Sequence, residues 1–168
     1  MIVTCLRASK WSVKWSMIAV AMIYTSRLSI AASRLISTKT ATYTIQPDAA
    51  LALCTFDNGK PNAKLNGGVV VGMYDKGMIP SQRLINDFKT FTNASGYFGM
   101  IGNDSSFIHK TVKGCPTVAA GIACGNTGSA NEMVSISDMD ALVHTLTDYI
   151  LHLNNEMITD FGFGEHHV

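Results

Sequence analysis

The stretch from Gly102 to Glu132, G-N-D-S-S-F-I-H-K-T-V-K-G-C-P-T-V-A-A-G-I-A-C-G-N-T-G-S-A-N-E, constrains the fold of this chain more than any other. A polar turn, a short helical stretch, an apolar run and a second polar turn follow one another there. The apolar run, Thr117 to Ala123, is short and bounded by turn residues, which suits a strand buried in a sheet. This reading puts both turns at one edge of a parallel sheet, the edge at which α/β proteins assemble their sites.

The neighbouring sequence extends the pattern. Ala49 to Leu53 lies between Pro47-Asp48 and Asp57-Asn58-Gly59, so it reads as a buried strand ending in a turn. The β-branched run Val69-Val70-Val71 follows Asn66-Gly67-Gly68 and favours a second strand. Ser81 caps a helix with Leu84, Ile85, Phe88 and Phe91 on one face, stopped by Asn93 to Gly96. Tyr97 to Ile101 is a further strand, and Asp104 to Val112 a short helix ended by Gly114 and Pro116. The last helix is the clearest element: Met139, Leu142, Val143, Leu146, Tyr149, Ile150 and Leu153 recur at three- and four-residue spacing after a capping Ser137. Strands near 49–53, 69–73, 97–101 and 117–123 therefore share one sheet, with the Leu142, Leu146 and Ile150 face of the 138–153 helix packed on it. The fold class is α/β, a mostly parallel sheet with helices on its faces.

With 168 residues, 47% of them hydrophobic and 15% charged, the chain is long enough for one domain with a core. A formal net charge of +1 selects no partner, but the charges are unevenly spread. Arg7, Lys10, Lys14, Arg27, Arg34 and Lys39 precede Asp48 without one acid. Residues 1–37 are accordingly set apart, to be read as a targeting-like segment or as a non-native start joined to the domain. The apolar run Met17 to Tyr24 is too short for a membrane span. Loose packing is expected there, with a helix around Met17 to Arg27.

Five ordered blocks resemble the glutamyl aminopeptidase, or tetrahedral aminopeptidase, family of two-metal exopeptidases. Gly102-Asn103-Asp104-Ser105 with His109 is similar to the family's G-T-D-A-x-x-x-H, and Gly114-Cys115-Pro116-Thr117 to its G-x-P-T. Ser129, Glu132 and Val134 match the end of its Y-I-H-S-x-x-E-x-V. Upstream, Ile45 to Leu53 is similar to K-P-D-x-A-I-A-L-D, and Tyr74 to Pro80 to the D-x-S-M-I-P turn. The resemblance covers residues 38–153, the C-terminal half of the family's catalytic domain, and leaves 154–168 as a tail.

What the resemblance implies is metal-dependent removal of N-terminal residues from peptides, with two divalent metals, zinc or cobalt, polarising the scissile carbonyl and activating a water. Gly102, Asn103 and Asp104 are then the substrate-binding residues. The family's metal-ligand positions closing the first strand and in the I-H-S turn fall on Cys54 and Gly128, and its G-E-E-V-G segment, which carries the general base, has no counterpart in this sequence. No catalytic residue, no metal ligand and no cofactor are therefore expected in this chain alone. The expected function is a truncated, catalytically incompetent family member; the alternative is a non-catalytic binding or assembly module that keeps the peptidase fold. Expected partners are further copies of the chain in a homo-oligomer or a complementary N-terminal half, with peptides as the family's substrates.

Individual residues keep a second reading. Asp104 either orients a substrate or caps the helix that follows it. His109 is a packed or surface histidine unless other donors converge on it, because zinc needs three or four. Cys54 is the one soft donor at a family ligand position, and otherwise a small buried hydrophobe. Cys5, Cys54, Cys115 and Cys124 show no C-x-x-C spacing and read as free thiols of a reducing, cytoplasmic compartment. Asn93-Ala94-Ser95 and Asn103-Asp104-Ser105 fit the glycosylation triplet, a common pattern. No basic and aromatic stripe for nucleic acid appears, and no membrane partner is expected.

Overall fold

Two nine-residue strands made of small and apolar residues sit side by side at the heart of the sheet, where only a strand buried on both faces tolerates such a sequence. The computed structural model describes residues 3–9, 12–14, 39–40, 42–43, 46–60, 62–99, 103–110 and 114–161. Its strands are β1 (Val3–Ser9), β2 (Ser12–Lys14), β3 (Ala49–Asp57), β4 (Val69–Tyr74), β5 (Ser95–Phe98), β6 (Thr117–Gly125) and β7 (Met133–Val134). Its helices are α1 (Gln82–Thr90), α2 (Ser105–His109), α3 (Ile136–His152) and α4 (Asn155–Asp160). The sheet runs β2-β1-β3-β6-β4-β5, with β7 pairing the end of β6.

The α/β class is as expected from the sequence, but the sheet is mixed rather than mostly parallel. β3 runs parallel to β6 from Ala50↔Thr117 to Asp57↔Cys124, and β4 runs parallel to β5. β4 pairs β6 antiparallel, as Val70↔Gly121 and Val71↔Ala120. The reason lies in the connection from β3 to β4: the described residues between 58 and 68 form turns and no crossover helix, and so short a link returns the chain in the opposite direction. Between β4 and β5, α1 supplies a crossover and the pairing is parallel.

The four strands expected by sequence all join this sheet, with shifted ends. β3 continues to Asp57 because β6 pairs it that far, although Thr55-Phe56-Asp57 reads as the approach to a turn. β5 starts at Ser95, since Val70 and Val71 of β4 are there to pair Ser95 and Gly96. Residues 3–9, which the charge pattern sets apart, pair β3 antiparallel through Val3↔Ala52 to Leu6↔Ala49. The expected helix around 17–27 lies outside the described residues.

Side-chain alternation along the strands divides the core in two. On one face Ala49, Leu51, Val69, Val71, Val118 and Ala120 pack against Leu84, Ile85 and Phe88 of α1 and Tyr149 of α3. On the other lie Phe56, Val70, Tyr97, Ala119 and Ala123, and a smaller group in which Ala50 and Ala52 meet Ile108 of α2 and Cys115. Tyr149 is wholly buried, edge-on to Phe88 (centroids 5.1 Å) and Phe91 (5.5 Å). Burial, then the nearby Asp87 carboxylate, pushes its hydroxyl well above the usual tyrosine value, although the two groups do not reach hydrogen-bond geometry.

Helix α1 is capped as expected by Ser81, whose hydroxyl accepts from the Leu84 N–H. Helix α3 is capped by Ser135 rather than Ser137. Its buried side runs through Asp138, Thr145, Tyr149 and Leu153, with Leu142 and Leu146 half-buried against the same core. Met139 and Val143, part of the apolar pattern, are exposed together with Ile136. At 3.6 residues per turn these three sit beside the covered face, and the apolar arc is wider than the core it packs on. Among the described residues no helix is long and apolar enough to cross a membrane.

Candidate functional site

The turn at Asn103 is built before any question of substrate arises. The Asn103 N–H donates to Asp75 Oδ2 (3.0 Å), and Asp75 Oδ1 accepts from the Lys76 N–H (2.8 Å). Asp75 and Met78 bond each other's backbones, so the hairpin after β4 holds the turn after β5. The Asn103 side-chain oxygen accepts from the Ser105 N–H (2.9 Å) and from the Ser105 hydroxyl. An Asn so placed satisfies a donor that the first turn of α2 leaves free. Ser106 Oγ donates to the Asn103 carbonyl (2.9 Å) from the other side.

That settles one of the two readings of Asp104. It occupies the N-cap position of α2 but its side chain makes no capping bond; the work is done by Asn103. Asp104 is buried, with 6% of its surface exposed. Gly102 lies outside the described residues. His109 is half-buried in the last turn of α2, and among the described residues no three His, Cys, Asp or Glu side chains are grouped so as to hold a metal ion.

Cys54 lies inside β3, three positions before its end, and not at the strand's close as the resemblance implies. Its neighbour across the pairing is Gly121, where an added Cβ would stand 1.7 Å from the Cys54 carbonyl oxygen. No residue other than glycine fits so close a backbone approach without moving one of the strands. On the α2 side of the sheet, the Asn103 amide nitrogen makes a long contact with the Cys54 sulfur (4.0 Å). Burial pushes the Cys54 thiol up to about 12, and the carboxylates of Asp75 and Asp104 push in the same direction.

The turn after β6 is closed upon itself. The Gly128 N–H donates to Glu132 Oε1 (2.6 Å), and Asn126 Nδ2 to the Asn131 carbonyl (3.2 Å). Gly128 has φ +81°, a conformation that suits glycine and strains other residues. Thr127 Oγ1 donates to Asp57 Oδ1 (3.2 Å) and to the Cys124 carbonyl (3.0 Å). The carboxylate fastened to this turn is thus Asp57, and Cys54, an odd number of positions away, projects to the other face of the sheet. Burial, then Glu132, raises the Cys124 thiol above its ordinary value.

The two polar turns do not share an edge as the sequence suggests. With β4 and β5 antiparallel to β6, the chain leaves β5 at the end opposite to that at which it leaves β6. Asn103 and Asp104 stand with Cys54 and Asp75, while Gly128 stands with Asp57 and Glu132. Asp75 is the site residue that the sequence marks least, its only signal being its place in the Tyr74 to Pro80 turn. A pair of metals needs carboxylate or imidazole donors converging from several elements. The residues at the two ligand positions do not fit it: glycine offers no side chain, and a protonated thiol in contact with an amide is a poor ligand.

Comparison with known proteins places this geometry. The sequence pattern of the M42 glutamyl aminopeptidases matches residues 34–145. No curated protein matches the chain. A TET aminopeptidase from a marine sediment Thaumarchaeota archaeon is similar with a TM-score of 0.70 and 25% identity, over 76% of this chain and 39% of that one. An aminopeptidase of the archaeon Desulfurococcus kamchatkensis is similar in fold, with a TM-score of 0.66 and 19% identity over 79% and 42% of the two chains. The TET1 peptidase of Pyrococcus horikoshii, which can assemble into a tetrahedron or a large octahedral shell, gives 0.59 and 19% over 69% and 36%. This chain spans less than half the length of each of these structures. Matched over more than half of its residues, the chain belongs to the M42 glutamyl aminopeptidase family.

Proposed function

We propose that this chain carries the substrate-facing part of a metallo-aminopeptidase catalytic domain and does not hydrolyse peptides by itself. The family's reaction is the removal of N-terminal residues from peptides, and Gly102, Asn103 and Asp104 are the residues proposed to meet the substrate. The observation that carries the second half of the proposal is position 128: a glycine at positive φ, in a turn closed by its own Glu132, where the family resemblance implies an imidazole. The reaction would need, besides ligands replacing those lost at positions 54 and 128, a second chain bearing the remaining ligands and the general base, in a cytoplasmic setting that suits the free thiols found among the described residues.

A second reading, a binding or assembly module, is favoured by one feature. Ile136, Met139 and Val143 expose a continuous apolar stripe on α3, of the kind that marks association. A homo-oligomer is the proposed assembly. The experiment uses the whole chain on a panel of aminoacyl-anilides with added zinc or cobalt. No turnover is expected at any metal concentration. Turnover abolished by a chelator and restored by metal would overturn the proposal.

A further inference from the structure

We infer that Cys54 and Asn103 form an uncharged pair that closes this part of the site to divalent cations. The inference rests on the family reading above, which makes position 54 a ligand position; the pair itself is read from the structure.

The orientation of the Asn103 amide is fixed by its partners. Its oxygen is taken by the N–H and hydroxyl of Ser105, so its nitrogen is the end that faces the Cys54 sulfur. Its backbone is held in turn by Asp75 and by Ser106. The amide therefore presents a hydrogen-bond donor, with its partial positive charge, to the sulfur on which a cation would have to sit. To coordinate Cys54, a metal would have to displace an amide whose oxygen is held twice by Ser105, on a residue whose backbone is held twice more, and strip a proton from the thiol. Burial disfavours the thiolate that would result, and the buried carboxylates of Asp75 and Asp104 add to this. A neutral thiol next to an amide donor needs no counter-ion.

Two measurements on the full chain test the pair. In the first, cobalt(II) chloride is titrated into the native chain and into Cys54→Ser, and the thiolate-to-cobalt charge-transfer absorption is recorded. The two spectra are expected to superimpose. A band present in the native chain and abolished by Cys54→Ser overturns the inference. In the second, alkylation by iodoacetamide is followed at each cysteine by mass spectrometry in the native chain and in Asn103→Ala. Removing the amide is expected to speed modification of Cys54 severalfold while buried Cys115 and Cys124 stay as slow as before. An unchanged rate at Cys54 overturns the role of Asn103, and equal acceleration at all three would mark general unfolding and overturn it too. A cobalt band without peptide hydrolysis would defeat this inference alone, whereas metal-dependent hydrolysis would defeat the proposed function.

Discussion

Asp138 is the residue whose removal tests the packing argument most sharply. It is 2% exposed, in the first turn of α3, and its two oxygens accept from the backbone N–H groups of Asn66 (2.8 Å) and Gly68 (2.9 Å). Asn66 is bonded as well through its side chain, which accepts from the hydroxyl of the cap residue Ser135 (2.6 Å). One carboxylate thus fastens the connection between β3 and β4 to the start of α3. Asp138→Ala leaves two backbone donors without their acceptor. Hydrogen bonds to charged groups contribute roughly 1.5–3 kcal/mol each, so the loss of two is about 3–6 kcal/mol, a large part of the stability of an ordinary domain. Asp138→Asn keeps one acceptor and should lose about half of that. Urea unfolding followed by circular dichroism gives both numbers, with the slope of the transition reporting whether the unfolded state has changed. An Asp138→Ala protein within about 0.5 kcal/mol of the native one would refute the reasoning, since that is the range of an ordinary surface substitution.

Three further outcomes follow from other positions. Gly121→Ala drives a methyl group into the Cys54 carbonyl, and at least about 3 kcal/mol of stability, or the soluble folded chain itself, should be lost in thermal melting. Gly128→His, the substitution that restores an imidazole, should cost about 1–3 kcal/mol because its φ is +81°, and zinc titration calorimetry should detect no site; tight zinc binding would contradict the separation of Cys54 from this turn. Cys54, Cys124, Tyr97 and Tyr149 all have folded values raised above the ordinary 9.0 for Cys and 10.0 for Tyr. The folded state then keeps protons that the unfolded chain releases. Stability is complete below about pH 9 and falls as pH rises, by roughly 1 kcal/mol per unit for a fully shifted group, so urea midpoints should drop from pH 8 to pH 10 and drop less in Cys54→Ser.

The fold was legible where one residue pattern decided the matter. Val69-Val70-Val71 and Thr117 to Ala123 announce buried strands by composition, and Ser81 announces the start of α1 by its hydroxyl. The place of β4 in the sheet was not legible, because nothing in Asn58 to Gly68 says that a strand from far downstream will be inserted between β3 and β4. The site divides in the same way. Asn103 and Asp104 stand out through the motif they belong to, yet which of them caps α2 depends on a backbone angle, and both Asp and Asn are good caps. Cys54 reads in the sequence as the position that closes a strand of Ala49 to Leu53, and it lies inside β3 instead, since the length of β3 is set by its partner. Met139 and Val143 look like core residues at helical spacing, and only the width of the core tells them apart from Leu142 and Leu146.

The insertion of β6 between β3 and β4 also sets a clock. Ala50 pairs Thr117, so the central contact of the sheet closes a loop that contains β4, α1, β5 and α2. Loops of this span form late, and topologies rich in them fold slowly. During synthesis at about 5–20 residues per second, β3 emerges several seconds before its long partner. In that interval β1 can pair one side of Ala49 to Ala52, while the side that β6 will cover stays open. A nascent chain with such an edge is exposed to pairing with other copies of itself, and the yield of folded protein should depend on how fast it is made and how crowded its neighbours are.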